Sequence, residues 1–114
     1  MDILTYLQGQ GRHSIDVLLA IFTLTKQKQK EPNEAVSISW KEIEKYVEQN
    51  MSKISDGTYR ARRQELLEMG LVELERINPL ASNVKLTSKG MMVASLIKEF
   101  IDTIQKTQET ETEK

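Results

Sequence analysis

The feature that most constrains the fold of this chain is a change of hydrophobic period at Gly70. Before Gly70 the apolar residues follow a helical spacing, and a glycine at this point is typical of a helix C-terminus, which favours a left-handed residue. After it, residues 71–77 alternate between apolar and polar for much of their length, as a half-buried strand does. The alternation resumes over residues 84–86, after the turn-rich segment 78–83, which predicts a β-hairpin with a six-residue tip.

Helices are predicted on both sides of this hairpin. Residues 13–26 are apolar around nearly the whole helix circumference, so this first helix should be buried on all sides. Ser39 and Glu42 have the spacing of a capping box, which predicts a second helix that runs to about residue 49. A short strand is expected just before it, over residues 36–38.

A third helix precedes the glycine and a fourth follows the hairpin. Ser52 and Ser55 are both placed to cap the third helix. Residues 87–88 have the side chains of a helix cap, and a long last helix is predicted over residues 89–105. The order of helix, short strand, two helices, hairpin and long helix predicts a mainly α fold with a small β-hairpin, the winged helix-turn-helix.

Two motifs in this region resemble those of winged-helix transcription regulators of the MarR-like and PadR-like type. Residues 66–73, Leu-Leu-Glu-Met-Gly-Leu-Val-Glu, are similar to the end of the recognition helix and the first wing strand of those proteins. Residues 86–90, Leu-Thr-Ser-Lys-Gly, are similar to the Leu-Thr-x-x-Gly that closes their wing. The resemblance covers roughly residues 14–100, and it implies a DNA-binding protein.

The length of 114 residues argues for one domain. We predict that it spans residues 12–106 and that residues 1–11 form an N-terminal extension. Because Thr and Glu alternate over residues 107–114, this segment is expected to be a disordered acidic tail.

Charge is nearly balanced over the whole chain but segregated along it. The 16 basic and 17 acidic residues exclude nucleic-acid binding by bulk positive charge. Locally, residues 52–63 hold four basic residues and one acidic residue, residues 64–75 hold four acidic residues, and residues 76–89 hold three basic residues. The basic segments are the start of the recognition helix and the flanks of the wing tip, which a winged helix places on duplex DNA. Lysine and arginine there would neutralise phosphates.

Residues of the third helix and the wing are therefore the candidate DNA contacts. They are Lys53, Ser55, Gly57, Thr58, Arg60, Arg62, Arg63, Asn83 and Lys85. The alternative for Arg60 and Arg62 is a solvated helix face, in which each pairs with Gln64 or Glu65. The alternative for the hydroxyl residues of the first turn is simple helix capping, and for the wing residues it is an ordinary turn.

Arg63 departs from the family that the chain resembles, which usually has an aliphatic residue at this position. Its guanidinium is expected either to reach solvent past Tyr59 or to pair with a carboxylate of the second helix. The candidate carboxylates are Glu42, Glu44 and Glu48. Trp40 is more typical of a core residue than of a base-stacking one.

The last helix carries more apolar surface than one small core can cover. We predict a two-fold homodimer through it, to which the first helix and residues 1–8 could contribute. The predicted interface residues are Val93, Leu96, Ile97, Phe100, Ile101 and Ile104. The alternative is an amphipathic helix that packs only on its own core. A dimer would place two recognition helices about one DNA turn apart on a palindromic site.

Several chemistries are excluded by residue types that the sequence lacks. It has no cysteine and one histidine, which excludes disulfides, thiolate metal sites and multi-histidine metal sites. No glycine-rich phosphate loop is present, and no nucleophile lies beside a base. We therefore predict no catalytic residues, no cofactor, no metal and no enzymatic activity. The N-terminus has no basic segment of a signal peptide, and no apolar run is long enough to span a membrane, so the expected location is the cytoplasm.

The favoured hypothesis is a homodimeric, sequence-specific double-stranded DNA-binding protein that regulates transcription. In it, helix 55–69 enters the major groove and wing 76–85 contacts the flanking backbone or minor groove. One alternative is a winged-helix subunit that binds proteins in a larger assembly, which the acidic segment 64–75 favours. Another alternative is a DNA-binding protein of plasmid or viral genome maintenance. The sequence assigns no site for a small-molecule effector.

Overall fold

The computed structural model describes residues 12–51, 53–78 and 81–112 of the chain. Within these residues, helices and strands follow one another in the predicted order. The helices are α1 (Arg12–Lys28), α2 (Trp40–Asn50), α3 (Asp56–Glu68) and α4 (Ser88–Thr112), and the strands are β1 (Ile38–Ser39), β2 (Val72–Asn78) and β3 (Ala81–Leu86). The predicted class, helices with a small β-hairpin, is confirmed. The N-terminal extension predicted over residues 1–11 lies outside the described residues.

Helix α1 lies at the centre of the hydrophobic core. Val17, Ala20 and Ile21 are completely buried, and the helix contacts α2, α3, α4 and β3. Ile43 of α2 and Leu66 of α3 are among the other large side chains that are buried in this core. The sequence of α1 is apolar around most of its circumference because other elements surround it.

The predicted helix caps are present at α2 and α3. The Ser39 hydroxyl oxygen accepts a hydrogen bond from the backbone N–H of Glu42 at 3.1 Å. The Ser55 hydroxyl oxygen accepts one from the backbone N–H of Thr58 at 3.3 Å. Of the two serines that could cap α3, Ser55 is therefore the cap, and Ser52 lies outside the described residues. These bonds satisfy N–H groups that a helix start leaves without a partner.

Gly70 ends α3 in the left-handed conformation that the sequence predicts, with φ of 72°. Its N–H donates to the carbonyl of Leu67 at 3.1 Å, and the N–H of Leu71 donates to the carbonyl of Leu66 at 3.0 Å. This pair of bonds is a Schellman motif. Because the reversal is so tight, the chain enters β2 directly after α3, and the hairpin is held close to that helix.

The hairpin belongs to a three-stranded antiparallel sheet with the order β1-β3-β2. Val84 of the central strand is completely buried, opposite Leu74 of β2 and Ile38 of β1. The short first strand forms at Ile38–Ser39, at the end of the predicted segment 36–38.

The strands of the hairpin are longer than the sequence predicts. Residues 78 and 81–83 are paired instead of forming part of a six-residue tip, and residues 79–80 lie outside the described residues. The physical reason is that β3 is paired on both sides. Asn83 lies opposite Glu75 in β2 and opposite Ser39 in β1, so polar residues with weak strand propensity are incorporated into the ladder.

Thr87 and Gly90 join the base of the hairpin to the start of α4. The Thr87 hydroxyl donates to the carbonyl of Gly70 at 2.6 Å and accepts from the N–H of Gly90 at 3.0 Å. A Cβ atom at Gly90 would lie 1.8 Å from the carbonyl oxygen of Leu71. The glycine of the Leu-Thr-x-x-Gly motif is therefore needed because the helix backbone lies directly against the backbone at the start of the wing.

Helix α4 continues beyond the predicted end at residue 105 and includes residues 107–112. The structure thus has a helix where the sequence predicts the first part of a disordered tail, and residues 113–114 lie outside the described residues. The Thr103 and Thr107 hydroxyls donate to the carbonyls four residues before them, at 2.8 Å and 3.0 Å. These bonds satisfy threonine side chains that would otherwise compete with the helix backbone. No helix in the described part of the chain could span a membrane.

Candidate nucleic-acid interface

The face of helix α3 that points away from the core carries small, polar and basic side chains. Tyr59 and Leu66 are buried, and they fix the orientation of the helix about its axis. The exposed residues on the opposite side are Gly57, Arg60, Ala61 and Gln64. Gln64 is absent from the predicted contacts, although it follows Arg60 by four residues and therefore shares its face.

A groove of about 480 Å³ lies between α3 and the β2–β3 hairpin. Its lining contains two arginines and no acidic residue. The lining residues are Trp40, Arg60, Arg63, Gln64, Leu67, Leu74 and Ser82. The groove is therefore positively charged, in a chain with a formal net charge of −1.

Arg63 is held at the side of this groove by an aromatic ring. Its guanidinium carbon lies 4.3 Å from the centroid of the Trp40 ring and 5.6 Å from that of Tyr59. The two rings contact each other edge to face, and the Tyr59 hydroxyl donates to the backbone carbonyl of Trp40 at 2.7 Å. Within the described residues Arg63 forms no ion pair with a carboxylate of α2, although the charge of Glu44 raises its pKa. Its guanidinium instead makes a cation–π contact with Trp40.

The surroundings of Arg63 and Tyr59 affect their ionisation. Burial lowers the pKa of Arg63, and the nearby charge of Arg60 lowers it further, whereas the Tyr59 phenol and the charge of Glu44 raise it. Burial raises the pKa of Tyr59 well above its usual value. The Tyr59 hydroxyl therefore keeps its proton and its hydrogen bond to Trp40 in the physiological pH range.

Arg62 points away from the groove, which differs from the sequence prediction that it accompanies Arg60. Its guanidinium forms an ion pair with Glu65 at 3.0 Å, and only 25% of its side chain is exposed. The other carboxylate oxygen of Glu65 accepts a hydrogen bond from the Ser14 hydroxyl of α1 at 2.7 Å. Arg62 thus attaches α3 to α1, which is the paired alternative that the sequence left open for it.

The remaining predicted contacts of α3 lie at or before its first turn. Lys53, Ser55 and Gly57 are exposed, and Thr58 is half-buried. The Ser55 hydroxyl also donates to the Thr58 hydroxyl oxygen at 3.0 Å. Capping thus engages the two hydroxyl groups, while the Lys53 side chain and the Gly57 backbone stay exposed at the start of the helix.

One face of the hairpin is directed toward the core and the groove, and the other face is directed toward solvent. Val84 is in the core, so its neighbours Asn83 and Lys85 lie on the outer face of the sheet, away from the groove. Lys85 is paired across the strands with Glu73, with 3.6 Å between Nζ and Oε1. The two predicted wing contacts, Asn83 and Lys85, are therefore not brought together with Arg60.

Arg76 is the basic residue on the groove side of the hairpin. It lies opposite Ser82 and two residues from Leu74, and both of those residues line the groove. Strand alternation therefore places Arg76 on the same face, where it is exposed. The sequence alone could have placed Arg76 on this face, since Val72, Leu74 and Arg76 are two residues apart and therefore lie on the same side of the strand.

The residues predicted for the dimer interface divide into two groups on α4. Val93 and Ile97 are half-buried against the protein's own core. Leu96 and Phe100 are 59% and 42% exposed, and Met92, which the prediction omits, is 64% exposed. Ile101 and Ile104 are half-buried. An apolar stripe with four-residue spacing therefore lies on the surface of α4.

The arrangement of these elements defines a winged-helix fold. Helices α2 and α3 form the helix-turn-helix, and the β2–β3 hairpin is the wing beside α3.

The chain is similar in structure to SSV1 F-93, with a TM-score of 0.57 over 82% of this chain and 91% of that one. The two sequences are 21% identical, so the similarity establishes the fold. No protein-family model and no curated protein sequence matches the chain.

Proposed function

We propose that this protein is a homodimeric, sequence-specific double-stranded DNA-binding protein that regulates transcription and has no enzymatic activity. The observation that carries the proposal is the exposed Arg60 on the outer face of α3, at the edge of a positively charged groove. Within the described residues Arg60 forms no ion pair, so its guanidinium is free for a ligand. In a winged helix this face enters the major groove, where arginine can donate two hydrogen bonds to guanine.

The composition of the outer face of α3 also supports base contact. Gly57 and Ala61 are small, so the helix backbone can approach the base pairs closely, and the Ala61 methyl group suits a thymine methyl. Gln64 can donate to and accept from adenine. Its amide is 3.3 Å from Glu68 Oε1, an exposed contact that DNA can replace at low cost.

Duplex binding is measured by fluorescence anisotropy with a labelled 24-base-pair DNA at several salt concentrations. Arg60, Arg63, Arg76 and Lys53 are positively charged and can neutralise phosphates, so the affinity should fall steeply as salt increases. Each phosphate contact contributes about 0.9 to the slope of log K against log salt. No binding at low salt, or affinity that is independent of salt, would contradict the proposal.

The dimer is proposed from the stripe of Met92, Leu96 and Phe100. These side chains are 64%, 59% and 42% exposed in the protomer, and covering them with a second copy would stabilise the pair by the hydrophobic effect. The two wings and recognition helices would then contact a two-fold symmetric DNA site. The MarR-like or PadR-like affiliation and the cytoplasmic location remain predictions from the sequence.

A glutamate in this stripe is expected to dissociate the dimer. Replacing Leu96→Glu together with Phe100→Glu should halve the mass measured by analytical ultracentrifugation, because two charges per protomer would have to be buried. The matched control is Gln105→Glu, which adds a charge at an exposed position about 140° around the helix from Phe100. A dimer that persists in the double variant, or a monomeric parent protein, would refute this interface.

A second candidate function is a protein-binding subunit of a larger assembly. The observation that favours it is the outer face of the wing, where Glu73 and Glu75 are exposed. This candidate predicts that replacement of Arg60 leaves function intact, whereas replacements in α4 abolish it.

A further inference from the structure

Arg60 and Arg63 line the same groove, and no carboxylate is among the residues that line it. The two arginines are close enough that the charge of Arg60 lowers the pKa of Arg63. The charge of Glu44 is near enough to raise the pKa of Arg63, but Glu44 lies outside the groove lining. Within residues 12–51, 53–78 and 81–112 neither guanidinium forms an ion pair. Two like charges that face one open groove repel each other in the free protein, and an anion in the groove would relieve this repulsion.

Arg63 differs from Arg60 because its position is fixed in advance. Its guanidinium carbon lies over the Trp40 ring, 4.3 Å from the ring centroid, and Trp40 is itself only 8% exposed. The hydrogen bond from the Tyr59 hydroxyl to the Trp40 carbonyl fixes the backbone of Trp40 against α3. A guanidinium that lies over an aromatic ring still has its N–H groups in its own plane, where two of them can donate parallel hydrogen bonds to an oxyanion.

The rest of the groove suits a phosphodiester better than a base edge. Gln64 and Ser82 provide further hydrogen-bond donors, and Leu67 and Leu74 provide an apolar surface for the sugar. The groove lies beside the exposed face of α3, so a DNA backbone strand can lie in it while α3 occupies the major groove. Free inorganic phosphate shares the oxyanion chemistry but would leave the apolar part of the groove unused.

We propose that Arg63, stacked on Trp40, binds a backbone phosphate of duplex DNA in the groove between α3 and the wing. Arg60 contacts base edges, and Trp40 is the positioning residue for Arg63. This inference rests on the proposed function and deepens it, since it assigns the sequence-independent part of the affinity to one residue and the sequence-dependent part to another.

The test compares Arg63→Leu, Arg63→Lys and Trp40→Leu with the parent protein on two duplexes of unrelated sequence. Arg63→Leu should lower the affinity for both duplexes by the same factor, about tenfold, and reduce the salt slope by about 0.9 per protomer. Arg63→Lys should keep the salt slope but lose part of the affinity, because lysine cannot donate in the same planar arrangement. The matched control is Lys98→Leu, which removes one positive charge from an exposed position on α4.

The role of Trp40 is tested by a double-mutant cycle. Trp40→Leu should weaken binding in the parent protein but have no further effect in Arg63→Leu, because the ring acts through the arginine. Thermal melts by circular dichroism verify that each variant is folded. Trp40 is the single tryptophan of the sequence, so its fluorescence should change when duplex is added and change much less in Arg63→Leu.

Each outcome separates this inference from the proposed function. If the parent protein binds duplex and Arg63→Leu binds equally well, the inference is overturned and the proposed function stands. A loss confined to one of the two sequences would make Arg63 a base contact and would also overturn it. If sodium phosphate changes the Trp40 fluorescence while duplex does not, the groove binds free phosphate and not the DNA backbone, which overturns the inference. A parent protein that binds no duplex overturns both proposals.

Discussion

Replacement of Arg60 by alanine is expected to weaken binding to the preferred duplex about 10- to 100-fold. Arg60 is the exposed cation of the outer face of α3, and a bidentate contact of arginine with guanine contributes about 1–3 kcal/mol of discrimination. The preferred duplex is obtained by selection from a random library, and affinities are measured by anisotropy at one fixed salt concentration. The variant should also lose its preference at one base position.

The matched control for this variant is Arg62→Ala, which removes the same charge from the same helix. Because Arg62 is paired with Glu65 and turned toward α1, its loss should change DNA affinity less than threefold and instead lower thermal stability. If Arg62→Ala weakens binding as much as Arg60→Ala does, then overall charge rather than the orientation of α3 determines binding, and the proposed face is wrong.

Replacement of Gly90 by alanine is expected to cause a large loss of stability. The added Cβ would lie 1.8 Å from the carbonyl oxygen of Leu71, a backbone atom that accepts a hydrogen bond from Thr87. Relief of this clash requires the start of α4 to move away from the wing, so we expect the free energy of unfolding to fall by about 3 kcal/mol. Urea denaturation followed by circular dichroism measures the change.

Gly57→Ala is the matched control for this prediction. No atom lies within 4 Å of a Cβ at Gly57, which is on the exposed first turn of α3. Alanine there should raise the free energy of unfolding by up to about 1 kcal/mol, because glycine loses more conformational entropy in a helix. Equal stability of the Gly90→Ala variant and the parent protein would show that the contact between α4 and the wing is not close.

The parts of the fold that the sequence predicts correctly are those fixed by local chemistry. The caps at Ser39 and Ser55 and the left-handed Gly70 each depend on residues within a few positions of one another. The order of the elements follows from the change between helical and alternating periods, which is also local. These signals were sufficient for the winged-helix fold.

The length of the hairpin could not be predicted in this way. Pairing of Asn83 depends on β1, whose Ser39 is far away in the sequence and satisfies the second edge of β3. These polar residues therefore form a strand because they pair with β1, which is too distant in the sequence to be part of a local pattern. The helical end of α4 differs for a related reason, since alternating Thr and Glu residues are weak evidence for either a helix or a disordered segment.

The sequence predicts the candidate site as a group of neighbouring basic residues. In the structure, the side chains of this group project from different sides of α3 and of the hairpin. Residues two apart on a helix project about 200° apart, so Arg60 and Arg62 do not share one face. In the same way, Lys85 lies next to the buried Val84 and must project to the other side of the sheet. Both corrections follow from periodicity, whereas the stacking of Arg63 on Trp40 depends on how α2 packs against α3.

The most direct test of the central claim is to map the duplex-binding surface by NMR, with the 15N-labelled protein titrated with duplex DNA. We expect the largest amide shifts at Gly57, Arg60, Ala61 and Gln64, at Arg76 and Ser82 on the groove side of the wing, and at the Trp40 indole N–H. Residues Glu73 and Lys85 on the outer face should shift little. Shifts that are concentrated on the outer face of the wing or along α4, with α3 unaffected, would contradict the account.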